Sequence, residues 1–373
     1  MRRMVIILAM LALAAPAGLR AQTQDDAIFI HHSSGQNWLD AGLHNALAAK
    51  TYIDERNDLT YGDDIAPDSG RRDSLAPTPG DQTDMRHWIL WFNDYVRRVK
   101  THGCANGTNR IILFKSCFPL SNISSDGTEP GDPFSADQTL ANYKAIYRHP
   151  SGPGGAYTNS GYVYKPLEDI FAENPGILFI PVTAPPQCYS ATTDEEGRRA
   201  RRFNNWLKTE WATNYTARHP GLNNVAVYDW FDVLAYADNH SLHPNRLKGE
   251  YGGSSSDSHP NGRANATSIY FFATCPTNFL DHAWGLFNPE SRHDLFKLQA
   301  VALTNSVWLR WPDPTMCGHT DTTVHVRCDT SHYPSNGTDG TAVYTGTNRV
   351  FAHTNLVQRQ VYYYTIWPES ETP

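Results

Sequence analysis

The chain has 373 residues, 40% of them hydrophobic and 18% charged, with a formal net charge of -7. That length is too great for one ordinary domain and short for three, and so large an apolar fraction excludes a disordered chain. An acidic balance with no basic stripe excludes the usual electrostatic footprint of nucleic-acid or anionic-membrane binding.

Residues 1–21 carry Arg2 and Arg3, then an apolar run from Met4 to Ala17, and end in Leu19-Arg20-Ala21. This is the pattern of a secretory signal peptide with its cleavage site. The run is shorter than the ~20 residues a bilayer span needs and nothing later reaches that length, so an exported protein without a membrane span is expected. Losing Arg2, Arg3 and Arg20 with the leader removes three positive charges and takes the net charge from -7 to -10. Six cysteines in an exported chain point to disulfides, with Cys317 and Cys328 the easiest local pair. No Cys-x-x-Cys or Cys/His cluster has zinc spacing, so no metal or other cofactor is expected.

The first element is Ala27-Ile28-Phe29-Ile30, a short buried strand that runs through His31-His32-Ser33-Ser34-Gly35 into Leu39, Leu43 and Leu47 at helical spacing. A second strand is expected within Thr51–Tyr61, then a Pro/Gly/Asp-rich loop over 62–82. Met85, Trp88, Ile89, Phe92, Val96 and Val99 predict one helix, and Arg110–Phe114 a buried strand. Leu140–Tyr147 and Pro166–Ala172 predict helices, the second with Pro166 in its first turn, and Ser151–Gly161 a surface loop between them. Ile177–Val182 is a further strand, Asp194–Trp211 a helix whose Arg198, Arg199, Arg201 and Arg202 read as a solvated face, Val225–Tyr228 a strand and Asn261–Phe272 the last helix. Strands alternating with helices imply parallel βαβ units.

From about Phe296 the texture changes to strands only. Leu298–Trp311, Thr322–Cys328, Thr341–Tyr344, Arg349–Ala352 and Gln360–Trp367 are β-type segments separated by Gly, Pro, Asn and Asp, which predicts a small β-sandwich. Its tryptophan at 311 and its late tyrosine-rich strand resemble a fibronectin type III module over roughly 75 residues.

Two stretches carry chemistry. Ser33 and Ser34 sit where a strand becomes a helix, the position from which an α/β enzyme presents a nucleophile to amides able to share an oxyanion's charge. A serine there can also act only as a helix cap. The second stretch is Ser256-Asp257-Ser258-His259-Pro260-Asn261, in which Asp257 could orient His259 as a general base. A similar tripeptide, His243-Pro244-Asn245, lacks the close aspartate and the following helix.

The strand-to-serine start, Gly80-Asp81-Gln82-Thr83 before a helix, and the late Asp/His-Pro-Asn resemble the SGNH/GDSL hydrolases and occur in that family's order across about residues 25–280. The resemblance implies a three-layer α/β/α, flavodoxin-like fold with a parallel sheet over residues 22–285, ahead of the sandwich at 296–373. It aligns Ser33 with the nucleophile, His259 with the base and Gly80 with an oxyanion-hole glycine. The family's Gly-x-Asn-Asp block is replaced by Lys115-Ser116-Cys117-Phe118-Pro119. Ser116, Lys115 or Asn122 is then left to supply the further oxyanion donor, or Cys117 is bonded to Cys188. The family also has two residues between aspartate and histidine, where this chain has one. His32 and Asn37, beside the serines, are read as substrate-facing, and His31 and His32 more as hydrogen-bond supports than as metal ligands.

The expected function is a secreted serine esterase acting on acetyl or other acyl esters of an extracellular polysaccharide. Two rivals remain. One is an enzyme cleaving the glycan chain itself, with Asp229 or Asp232 as an added carboxylate. The other is a non-catalytic glycan-binding protein using Trp38, Trp88 and Trp91 as a stacking platform.

Overall fold

A computed structural model describes residues 25–60, 65–71, 74–75, 82–104, 107–287, 298–302, 305–311, 322–357 and 360–369. The leader at 1–21, Gly80 and Cys317 lie outside the described residues.

Strand β1 (Asp25–His31) leads into α1 (Ser33–Trp38), which continues through a π-helical turn (Leu39–Leu43) into α2 (His44–Ala48). Then follow β2 (Arg56–Thr60), α3 (His87–Asp94), α4 (Val96–Thr101) and β3 (Thr108–Lys115), which ends in a 3₁₀ turn (Phe118–Ser121). Next come α5 (Leu140–Tyr147), a hairpin of β4 (Tyr157–Asn159) and β5 (Tyr162–Tyr164), α6 (Leu167–Glu173) and β6 (Leu178–Val182). Helix α7 (Asp194–Asn205) passes through a second π-helical stretch into α8 (Ala212–Arg218), followed by α9 (Trp230–Leu234), α10 (Gly262–Ile269) and α11 (Phe279–Phe287).

Strands β2-β1-β3-β6 form one parallel sheet in that order. Its residues alternate between two apolar layers, as a strand's period of two requires. Ile28, Ile30, Ile112, Phe114 and Phe179 pack against α3, α5, α6 and α7, whereas Ala27, Phe29, Ile111, Leu113 and Ile180 pack against α1, α2, α10 and α11. Helices therefore cover both faces. The segment expected as a strand at 225–228 runs parallel to β6 but bridges it only at Phe179–Val225 and Val182–Tyr228. Pro181, whose carbonyl accepts from Tyr228 N on this edge, has no N–H to return, so the ladder is broken.

The other departures have equally local causes. The helix expected over 85–99 is two, because the Asp94 carbonyl accepts from the amides of Asp68 and Ser69 (2.7 and 3.2 Å) and the Asp68 carboxylate accepts from Arg97 N and Arg98 N (2.6 and 3.1 Å). That carboxylate restarts the helix as a cap borrowed from the loop. Pro166 and Asn261 stand one place before their helices, as N-caps. Helix α11 was not foreseen; Asp281 fixes it to Lys50 Nζ (2.7 Å) and Tyr52 Oη (2.6 Å), and Trp284 stacks on Tyr52 at 4.9 Å. The arginines of α7 are not merely solvated. Arg199 donates to the carbonyls of Ile123 and Ser124, Arg201 reaches Tyr236 O and Asp232, and Arg202 pairs with Asp126.

The C-terminal strands are β7 (Gln299–Ala302), β8 (Val307–Arg310), β9 (Val324–Asp329), β10 (Thr341–Gly346), β11 (Val350–His353) and β12 (Tyr363–Pro368). They form two three-stranded antiparallel sheets, β10-β9-β12 and β11-β8-β7. Leu309, Trp311, Val324, Val326 and Ile366, drawn from both, make their common core. No helix among the described residues is long and apolar enough to cross a membrane.

Candidate active site

The carboxyl ends of β1 and β3 and the loop before α10 converge on Ser33. At the end of β1 the chain turns sharply into α1, with the amides of Gly35 and Gln36 both donating to His32 O (2.8 and 2.9 Å). His31 supports this turn from beneath: its Nδ1 bonds the same carbonyl at 3.1 Å, and its Nε2 reaches Thr60 Oγ1 on β2 at 3.4 Å. The helix start lies so close on His31 that a Cβ at position 35 would stand 2.4 Å from His31 Cβ. Glycine is the residue that permits this approach.

Ser33 is half-buried and Ser34 fully buried. The cap position is His32, which makes no side-chain cap bond, and the Ser33 hydroxyl lies 2.9 Å from His259 Nε2. Ser34 points inward, where Lys115 Nζ donates to its hydroxyl at 2.7 Å.

Asp257 sits two residues before the histidine, and its Oδ1 accepts from both His259 N (3.0 Å) and His259 Nδ1 (2.7 Å). One oxygen thus closes a tight Asx-type turn and orients the ring. With the proton on Nδ1, Nε2 offers its lone pair to Ser33, so the hydroxyl donates. These two bonds from His259, amide first, hold the Asp257 carboxyl below the usual carboxylate range. The loop itself is anchored. Asn261 N donates to Tyr251 O (3.0 Å), its side chain accepts from Ala264 N (3.0 Å) to cap α10, and Ser258 Oγ accepts from Cys188 N (3.1 Å). Phe118 meets the His259 ring edge-on, centroids 4.9 Å apart.

The remaining expected residues fall differently. Ser116 does not bring its hydroxyl to Ser33: it accepts from Trp88 Nε1 at 2.9 Å and faces Met85 Sδ, so as an oxyanion side-chain donor it is corrected. The cause is strand alternation, which turns Ser116 toward the α3 layer. Asn122 Nδ2 is likewise spent on Ala191 O at 3.0 Å. Asn37 is exposed one turn along from Ser33, and its carbonyl accepts from Asn265 Nδ2 at 3.3 Å. His32 is fully buried rather than substrate-facing. Burial drives its basicity far below the ordinary histidine value, with Lys115 acting in the same direction, and it is neutral. Burial likewise lowers His31 to about 4, against the opposing bond to His32 O.

Cys117 and Cys188 are free thiols rather than a bonded pair. Cys117 Sγ lies 4.0 Å from Ser33 Oγ and 3.8 Å from Ser34 Oγ, while Cys188 bonds Ser190. The Cys317–Cys328 pairing falls on a residue outside those described. Asp229 caps α9 and pairs with Lys208 at 2.6 Å, and Asp232 pairs with Arg201 and Lys208, so both carboxylates are committed. Trp38, Trp88 and Trp91 are at most 1% exposed, which removes them as a stacking platform. The second His-Pro-Asn serves as a corner: Asn245 takes a left-handed φ of 60° and bonds Asp238, and His243 stacks on Tyr189 with centroids 3.6 Å apart.

Sequence reasoning missed the Lys115–Ser34 contact, although a lysine closing the apolar run Ile111-Ile112-Leu113-Phe114 was a visible signal. No protein-family model and no curated protein matches the chain, so geometry alone carries the functional argument.

Proposed function

We propose that this protein is a serine esterase of the SGNH/GDSL kind, exported, and acting on acetyl or other acyl esters of an extracellular polysaccharide. The observation that carries the reading is the chain of contacts Ser33 Oγ to His259 Nε2 (2.9 Å) and His259 Nδ1 to Asp257 Oδ1 (2.7 Å). A hydroxyl, an imidazole and a carboxylate in that order constitute an activated nucleophile.

In the first step Ser33 Oγ attacks the ester carbonyl as its proton passes to His259 Nε2, and the imidazolium is stabilised by the Asp257 carboxylate. Negative charge collects on the former carbonyl oxygen, which the Ser33 amide at the start of α1 would receive, Gly80 being the second donor that the family resemblance implies. Collapse expels the alcohol of the polymer, which takes the proton from His259 and leaves an acyl-serine. Water then repeats the sequence, giving its proton to His259, releasing the carboxylic acid and restoring Ser33.

The glycan-cleaving alternative needs two carboxylates across one sugar. The commitment of Asp229 and Asp232 to structural pairs weighs against it. The test is a fluorophosphonate label together with hydrolysis of p-nitrophenyl acetate. Wild type should take one label at Ser33 and hydrolyse the ester, and Ser33→Ala should do neither. A wild type inert to both would refute the reading. Release of acetate without new reducing ends from an acetylated polysaccharide would separate esterase from glycan-chain cleavage.

A further inference from the structure

Lys115 ends the central strand β3 with its side chain 1% exposed. A lysine so deeply placed is costly, and buried ammonium groups persist where specific partners receive them. Its Nζ donates to Ser34 Oγ at 2.7 Å and lies 5.2 Å from the centre of the Trp230 ring, an aromatic face that favours a cation. Ser34 is the neighbour of the nucleophile. Cys117 Sγ spans the two hydroxyls at 3.8 and 4.0 Å, so the buried ammonium, Ser34 and Cys117 are contiguous with the half-buried Ser33.

Among the described residues, the charges that act on the two histidines beside this cluster can be named, and Asp257 holds His259. His31 at the end of β1 and His32 just after it are both shifted toward the neutral form, chiefly by burial and further by Lys115; Asp58 and Arg56 on β2 act on His31 with opposite signs, and His259 acts on His32 from the loop before α10. The two histidines beneath the turn thus add no positive charge, and the lysine is the cation nearest the turn in this set. The Ser116 hydroxyl and the Asn122 amide, both turned elsewhere, leave side-chain support of the oxyanion to another group.

Resting on the esterase reading, we propose that Lys115 is a positioning residue: through Ser34 it fixes the nucleophile turn, and its positive charge stabilises the anion formed when Ser33 adds to the ester. It does not touch the substrate and gives up no proton. It acts by charge and by the Ser34 bond, which distinguishes it from a packing residue.

The experiment compares wild type, Lys115→Met, Lys115→Arg and Ser34→Ala by p-nitrophenyl acetate kinetics across pH, with phosphonate labelling and thermal unfolding beside them. Lys115→Met should lower kcat by roughly 10- to 100-fold with KM little changed, as expected for a unit charge several ångströms from the reacting atoms at an effective dielectric of about 20. Lys115→Arg should recover most of the kcat. Ser34→Ala, which keeps the cation but cuts its link to the turn, should lose several-fold in kcat alone.

A folded Lys115→Met with kcat within twofold of wild type overturns the proposal. If Lys115→Met does not fold, Ser34→Ala decides, and an unchanged kcat there overturns it equally. A wild type that neither takes the phosphonate nor hydrolyses the ester removes the esterase reading and this inference with it. Labelling in wild type with indifferent variants removes this inference alone.

Discussion

Replacing Asp257 by asparagine tests how much an exposed carboxylate contributes when it stands in a catalytic chain. Its Oδ1 lies 2.7 Å from His259 Nδ1, yet the Asp257 side chain is 67% exposed. Two unit charges about 4 Å apart interact by about 1 kcal/mol in bulk water and about 4 kcal/mol at an effective dielectric of 20. With so much of the carboxylate in solvent, the interaction with the imidazolium belongs near the lower bound, about 1.4–2 kcal/mol, or roughly 10- to 30-fold in rate. The backbone bond from His259 N to Asp257 Oδ1 (3.0 Å) is one an asparagine oxygen can keep, so the loop should hold its shape. Asp257→Asn should therefore lower kcat/KM by roughly 10- to 30-fold, far less than the ~10⁴ lost when the buried triad aspartate of a serine protease is changed in the same way. The assay is p-nitrophenyl acetate hydrolysis at low and high salt, and the gap between wild type and variant should narrow as salt rises. A loss of 10³ or more, insensitive to salt, would refute the screening argument. No loss at all would refute the orienting role.

Gly35→Ala should destabilise by about 1–3 kcal/mol and lose phosphonate labelling, because the new Cβ would meet His31 Cβ at 2.4 Å; thermal unfolding and label uptake measure the two effects. Stability should fall with pH below the ordinary histidine value, since His31 stays neutral in the fold down to about 4 while the unfolded chain gains the proton near 6.5. On the order of 3 kcal/mol is lost across that window, with His32 adding in the same direction, and urea titrations at pH 7 and pH 4.5 would measure it. Glu168→Gln should cost about 3 kcal/mol, because Glu168 is 1% exposed and accepts from Arg218 Nε and Nη2, each at 2.6 Å, so the change leaves a guanidinium short of its partner.

The parallel sheet was legible because the central runs of β1, β3 and β6 are buried on both faces and so read as apolar stretches, with helical periods between them, whereas the edge strand β2 (Arg-Asn-Asp-Leu-Thr) carries one buried residue. The irregularities were hidden where the deciding partner lies far along the chain. Nothing in the period of Met85 to Val99 shows that Asp68 will cap a second helix, and the cue at 225–228 lay in the neighbouring strand, at Pro181. Helix α11 has an apolar stripe of its own, but the last helix expected from the sequence ends at Phe272. Its cause is again distant, in Lys50 and Tyr52.

At the site, residue types and order pointed to Ser33, Asp257 and His259, while side-chain direction did not follow from them. Ser116 and Ser34 show why: Ser116 turns toward Trp88 by the alternation it continues from β3, and Ser34 turns inward to Lys115 because successive residues of a helix point about 100° apart. The one-residue gap between Asp257 and His259 looked like a defect when judged by the spacing alone. A single carboxylate oxygen can accept from the amide two residues on and from that residue's ring, and the short spacing brings both donors within 3.0 Å. The turn that shortens the spacing is the same turn that aims the histidine. It also leaves the carboxylate in water, which is why the Asp257→Asn loss should be modest and why electrostatic support for the nucleophile is sought beneath the turn, at Lys115.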